Sequence, residues 1–198
     1  KAGTGGVRLY ARDHKIYNNY FEGLTGYRWD AAITLTNGDT DSGSLSAHWR
    51  IDNVAITHNT LVNNYSNIEI GYGRSDNSWS REPRNVTLAN NLITGGEKDL
   101  IEIINTPSSF TWSGNIMYPF NDYSIGMNLP SDQINEIDPQ LERIISETDS
   151  LWFLSVSSPA IDAAPVNYLS ITSDIHGQSR TAPNDVGADE YALSSITH

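Results

Sequence analysis

Arg8, Arg28 and Arg74 are the residues of this sequence whose types and setting best suit a ligand. Arg8 and Arg28 stand at or just before the short apolar phrases Gly6-Val7-Arg8-Leu9 and Ala32-Ile33-Thr34-Leu35. Arg74 lies in a polar stretch that also carries Arg81 and Arg84. A guanidinium is a rigid fork of donors that grips carboxylates and sulfates through two bonds at once. Trp29, Trp49, Tyr72 and Trp79 accompany these arginines, and flat rings of this kind can stack on sugar faces. Tyr10 and His48 join the candidate binding set, with core or surface as the alternative to the cleft for His48. An arginine-and-aromatic groove suits an acidic polysaccharide. Taken singly, each arginine reads as a solvated charge or a surface ion pair, and Arg12 beside Asp13 and Arg81 beside Glu82 are read that way.

Glu69 and Glu102 form a second constellation. Each alternates with Ile, in Asn67-Ile68-Glu69-Ile70 and Leu100-Ile101-Glu102-Ile103, so each is expected to point away from the core. Paired carboxylates are the equipment of glycoside hydrolases, and solvated surface charge is the alternative. His14 and His58 fall at repeated corner positions and read as structural, while Trp112 and Trp152 read as core or cap. The chain has no cysteine, which excludes disulfides, thiolate catalysis and cysteine zinc sites. No cluster shows metal-ligand spacing.

The elements that position these residues are written as a repeat. One phrase recurs as Ile16-Tyr17-Asn18-Asn19-Tyr20-Phe21, Ile56-Thr57-His58-Asn59-Thr60-Leu61 and Leu88-Ala89-Asn90-Asn91-Leu92-Ile93, and more loosely around Asn115. The apolar phrases named above interleave with it. Short alternating segments rich in Val, Ile, Tyr and Thr predict strands. Repeated short strands with Asn and Gly at the corners predict an all-β, right-handed parallel β-helix, a solenoid with one continuous core. The repeated Asn is expected to stack on its equivalents as a corner ladder. Extra residues enter just after the Ile33-type strand, at about 36–49 and 72–84, and their stacking predicts a wall along one face. The predicted coils run over 1–127. Residues 128–198 are expected to form a polar C-terminal cap over the open sheet edge.

Charge divides the chain. Residues 1–84 carry nine Lys/Arg against nine Asp/Glu, and the remainder carries the whole net charge of −12. An acidic surface disfavours nucleic acid, so a polyanion would have to bind the first half. No run approaches the ~20 apolar residues of a membrane helix, so no membrane partner is expected.

The residues also carry a family resemblance. Gly5-Gly6-Val7-Arg8-Leu9-Tyr10 through Asn18-Asn19-Tyr20-Phe21-Glu22-Gly23-Leu24-Thr25-Gly26, with Tyr27-Arg28-Trp29-Asp30-Ala31-Ala32 and Val54 to Asn63, is similar to polysaccharide lyase family 6. That family holds alginate lyases and chondroitinase B. The ending Ser158-Pro159-Ala160-Ile161-Asp162 to Asp185-Val186-Gly187-Ala188-Asp189-Glu190 resembles that of many secreted β-helix proteins.

The resemblance implies β-elimination on a uronate polymer, alginate being favoured over chondroitin, in a secreted or periplasmic enzyme. It implies substrate contacts at Arg8 and Arg28 and a basic neighbour at Arg74. It implies a catalytic Lys and Arg and a Ca²⁺ ion, in sequence contexts this chain does not contain. Those residues are expected on coils upstream of Lys1, in an N-terminal half of the same β-helix. The alternatives are a non-catalytic module that binds acidic polysaccharide, a chondroitin or dermatan lyase, and a β-helix glycoside hydrolase.

Overall fold

The repeated phrases form short parallel strands. The structure is a computed structural model and describes residues 5–39, 48–128, 133–145 and 150–192. In chain order the strands are β1 (Val7–Leu9), β2 (Lys15–Tyr17) and β3 (Tyr20–Glu22). A 3-10 turn, η1 (Arg28–Asp30), leads into β4 (Ile33–Thr36), β5 (Gly38–Asp39), β6 (Asp52–Thr57) and β7 (Thr60–Val62). Then come β8 (Ile68–Tyr72), β9 (Trp79–Arg81), β10 (Arg84–Ala89) and β11 (Leu92–Thr94). After them run β12 (Ile101–Ile103), β13 (Ser108–Ser113), β14 (Asn115–Tyr118) and β15 (Ile134–Asn135). The hairpin β16 (Leu141–Ile145) and β17 (Ser150–Leu154) and a second 3-10 turn at Tyr168–Ser170 complete the order.

Pairing sorts these strands into three parallel sheets: β1-β4-β8-β12, β2-β6-β10-β13 and β3-β7-β11-β14-β15. The chain visits the first, second and third sheet in turn and then repeats the circuit. Register sets like on like. Val7, Ile33, Ile68 and Ile101 align in the first sheet. Ile16, Ile56, Leu88 and Trp112 align in the second. Phe21, Leu61, Ile93 and Met117 align in the third. One apolar cluster takes side chains from all three rows, so the inner faces of the sheets share a core. Ile56, Leu61, Leu88 and Ile93 are fully buried there, each contributing roughly 1.5–3 kcal/mol of transfer free energy.

Residues that tolerate left-handed backbone set the corners. Asn18, His58, Asn90 and Gly114 occupy one corner position, with φ of 52°, 52°, 55° and 60°. At Gly114 a Cβ would come within 2.3 Å of Pro165, so glycine is required there for space as well as conformation. His58 is structural. It is fully buried, burial pushes its pKa down to about 3, and its Nε2 lies 3.2 Å from Asn90 Nδ2.

The next residue in each circuit is the repeated Asn, which forms the expected ladder. Asn19 Nδ2 donates to Asn59 Oδ1 at 2.9 Å, Asn59 to Asn91 at 3.0 Å, and Asn91 to Asn115 at 3.0 Å. The ladder residues lie 40, 32 and 24 positions apart. The last step is the bare circuit, and the earlier ones carry the insertions. The insertions pair with each other: β5 and β9 run antiparallel, Gly38 opposite Arg81 and Asp39 opposite Trp79. Residues 40–47 of the first insertion lie outside the described residues.

The C-terminal region, expected as an end cap, also packs against the side of the circuits. β15 extends the third sheet by one strand, and described residues of the tail from Leu154 to Ala188 lie against the flank of the circuits. Leu92 and Ile116 point out of the third sheet, and Leu154, Ala160, Ala164 and Val186 cover them in a second apolar cluster. A sheet apolar on both faces needs cover on both. Ala188 N donates to Thr60 Oγ1 at 2.9 Å and Gly187 N to Asn90 O at 2.9 Å, tying the tail to successive circuits. Residues 129–132, 146–149 and 193–198 of that region lie outside the described residues. Among the described residues no helix is long and apolar enough to cross a membrane.

Ion pairs also differ from the reading by chain neighbours. Arg84 pairs with Asp52 at 2.7 Å, and Glu82 pairs with Arg50 instead of Arg81. Asp13 accepts from Asn53 Nδ2 at 2.6 Å, and among the described residues it forms no ion pair with Arg12. Strand neighbours project to opposite faces, whereas register partners such as Arg84 and Asp52 lie side by side.

Candidate functional site

The outer face of the first sheet carries the residues singled out for chemistry. Arg8, Thr34, Glu69 and Glu102 stack in register across β1, β4, β8 and β12. The η1 turn packs over this row and holds Arg28 above it. Thr34 Oγ1 donates to the Arg28 carbonyl at 3.1 Å, pinning that backbone. Arg28 takes a left-handed φ of 59°, a strained conformation for a long side chain and one that clusters at functional sites.

Arg28, Tyr72, Arg74 and Trp79 line an open cleft of about 870 Å³ whose floor includes Ile101 and Glu102. Rings connect the remaining candidates to it. Arg8 Cζ lies 5.0 Å from the Trp29 ring, and Trp29 lies 6.2 Å from Tyr72. Arg74 Cζ lies 5.6 Å from the Trp79 ring. His48 stacks on Trp79 at 3.7 Å and meets Tyr10 at 4.8 Å. Its Nε2 lies 2.8 Å from Thr36 Oγ1, and burial lowers its pKa, which favours the neutral ring. Thus Arg28, Tyr72 and Arg74 line the cleft, while Arg8, Tyr10 and His48 reach it through aromatic neighbours. Trp49, grouped with these aromatics by sequence, is half-buried and receives Ala11 N–H at its carbonyl, 2.8 Å away.

The family profile described as Chondroitinase B matches residues 1–129. The chain belongs to the chondroitinase B family. The family is one of polysaccharide lyases, and the match covers every strand that builds the cleft. A comparison with curated proteins found no match.

One cleft residue of this chondroitinase B-family chain, Tyr27, and a cation beside it, Lys98, escaped the sequence reading. The Tyr27 ring has Arg28 Cζ 5.5 Å from its centroid and Lys98 Nζ at 4.0 Å. Lys98 also pairs with Glu102 at 3.1 Å. Its signal in the sequence was contrast, as the one lysine of the acidic half. Tyr27 gave no signal, because its role comes from where η1 lies.

Glu69 is the largest departure. It points out of the core as the alternation predicts, yet it is fully buried, because η1 covers it. Among the described residues neither of its oxygens has a hydrogen-bond partner. Burial, then the Glu102 charge, pushes its pKa up to about 7. A raised carboxyl pKa means that the folded state holds the proton more tightly than the unfolded chain. Its stabilising effect is complete below the ordinary value of 4.5 and is lost as pH rises to about 7. Glu69→Gln is therefore expected to melt above the parent protein at neutral pH. The two melting temperatures should converge below about pH 4.5, and a constant gap at all pH values would refute this.

The calcium ion implied by the resemblance does not fit these residues. Among the described residues no three His, Asp or Glu are grouped to hold a metal. Glu102, on the cleft floor, already has Lys98 as its cation.

Proposed function

We propose that this chain builds the substrate-binding face of a lyase that cleaves alginate by β-elimination. The carrying observation is the cleft in which Arg28 and Arg74 flank Tyr72 and Trp79. Its forks are suited to grip successive uronate carboxylates, and its rings to support sugar faces between them. In β-elimination a base takes the proton α to the carboxylate and the 4-linked oxygen leaves. Negative charge builds on the carboxylate, and fixed guanidinium charge lowers its cost. The proposed base and acid lie on upstream coils of the same right-handed parallel β-helix, in a secreted or periplasmic protein. The proposed partner is an acidic polysaccharide, not nucleic acid or a membrane.

Dermatan or chondroitin is the second reading, favoured by the same forks, which bind sulfate as well as carboxylate. Titration of the purified chain with alginate oligosaccharides, dermatan sulfate and a neutral glucan separates these readings. Alginate is expected to bind, and Arg28→Ala to weaken it about 10- to 100-fold, the effect of losing a charge-assisted bond worth ~1.5–3 kcal/mol. Stronger binding of dermatan sulfate would select the second reading. Equal binding of the neutral glucan would sink both. Ultraviolet-absorbing unsaturated uronate released by this chain alone would place the base and acid within it.

A further inference from the structure

Resting on the reading of the cleft as a polyuronate site, we infer that Glu69 is a positioning residue beneath Arg28 that takes up a proton when the acidic polymer binds. Glu69 sits in the outer row of the first sheet between Thr34 and Glu102. It is fully buried and has no hydrogen-bond partner among the described residues, an arrangement that disfavours an ionised carboxylate unless cations compensate it. Those cations are Arg28 on η1 and Lys98 in the segment before β12. Glu102 on β12 opposes them. On the other side β4 presents uncharged Thr34, and beyond it β1 presents Arg8.

Arg28 faces two ways. Its guanidinium is exposed and lines the cleft, while its charge acts on Glu69 below. Lys98 is already committed to Glu102 at 3.1 Å, so Arg28 is the cation open to a ligand. When Arg28 engages a uronate carboxylate, its charge is shared with the ligand and Glu69 loses part of its compensation. A proton from solvent then adds to a Glu69 carboxylate oxygen, and the neutral acid remains under the occupied arginine. With its midpoint near 7 in the free protein, Glu69 is poised for this exchange. Since the complex holds more protons than the free protein, binding weakens as pH rises. The decline starts near pH 7 and continues above it, by at most about tenfold per pH unit for one proton.

The test has two arms. In the first, calorimetric titration with an alginate oligosaccharide near pH 7.5, in buffers of different ionisation enthalpy, counts protons. The parent protein is expected to take up a substantial fraction of one proton, and Glu69→Gln none, with a flat affinity profile from pH 7 to 8. A merely structural role would not change the proton count. The second arm needs no ligand. Carbon-13 NMR follows the Glu69 carboxyl titration, whose midpoint is expected to rise in Arg28→Ala, a change at an exposed side chain. An unmoved midpoint, or equal proton uptake by parent and Glu69→Gln, overturns the inference. Failure to bind any polyuronate, with the Arg28-dependent midpoint shift intact, overturns the reading of the cleft and supports the Glu69–Arg28 coupling.

Discussion

Asn91→Leu is expected to lower the unfolding free energy by about 3 kcal/mol or more, read as a shift in the denaturant midpoint. Asn91 is fully buried in the middle of the ladder. Its Nδ2 donates to Ile56 O at 2.8 Å and to Asn115 Oδ1 at 3.0 Å. Its Oδ1 accepts from Asn59 N at 3.1 Å and from Asn59 Nδ2 at 3.0 Å. Leucine fills a similar volume but satisfies none of these groups. Asn59 Nδ2 keeps Ile16 O and Thr57 O, and Asn115 Oδ1 keeps Asn91 N, so part of the network survives. The Asn59 N–H loses its side-chain acceptor and the bond to Ile56 O disappears, each worth roughly 1–3 kcal/mol when buried. Asn19, at the other end of the ladder, is only half-buried and donates to Tyr17 O and Asn59. Asn19→Leu should therefore cost clearly less. Equal losses at the two positions would mean that the ladder is not what holds the corner.

Arg180→Met is expected to cost about 3–5 kcal/mol and to release the tail from the flank, seen as faster hydrogen exchange over 155–192. The Arg180 guanidinium is buried. Nη1 meets Glu190 Oε2 at 3.0 Å, and Nη2 donates to Gly187 O at 2.8 Å and to Asn18 Oδ1 at 3.1 Å. The last bond spans 162 positions and joins the tail to the first corner. Glu190 in turn accepts Thr181 N at 2.9 Å and Asp185 N at 3.0 Å. Removing the cation leaves a buried carboxylate without its countercharge, beside Asp174 and Asp185, which also act on Arg180. Arg180→Met combined with Glu190→Gln should recover part of the loss, because the stranded charge goes with it. A double variant no more stable than the single one would show that the arginine acts through packing alone.

Legibility in the sequence followed the range of each interaction. The Asn ladder could be read because the same residue must recur wherever one circuit stacks on the next. Strand positions could be read because Ile33, Ile68 and Ile101 repeat one alternation, and register then aligned them. The insertions could be placed because they lengthen the repeat at one point. Glu69 shows where this ended: alternation fixed its direction and said nothing of what lies above it. The antiparallel pairing of β5 with β9, Lys98 against Tyr27, and Glu82 on Arg50 were equally silent.

By itself, then, the sequence determined the strands, the corners, the face that bears Arg28 and Arg74, and the resemblance to a polysaccharide lyase family. Only the tertiary structure decided which of those outward residues are covered, which rings join Arg8 and Arg74 to the cleft, and that the tail runs along the third sheet. Periodicity is a property of one circuit and its neighbour, so it is written locally. What covers an outer face depends on the path of segments from other circuits, as η1 over Glu69 and the tail over Leu92 do, and no local pattern encodes that path.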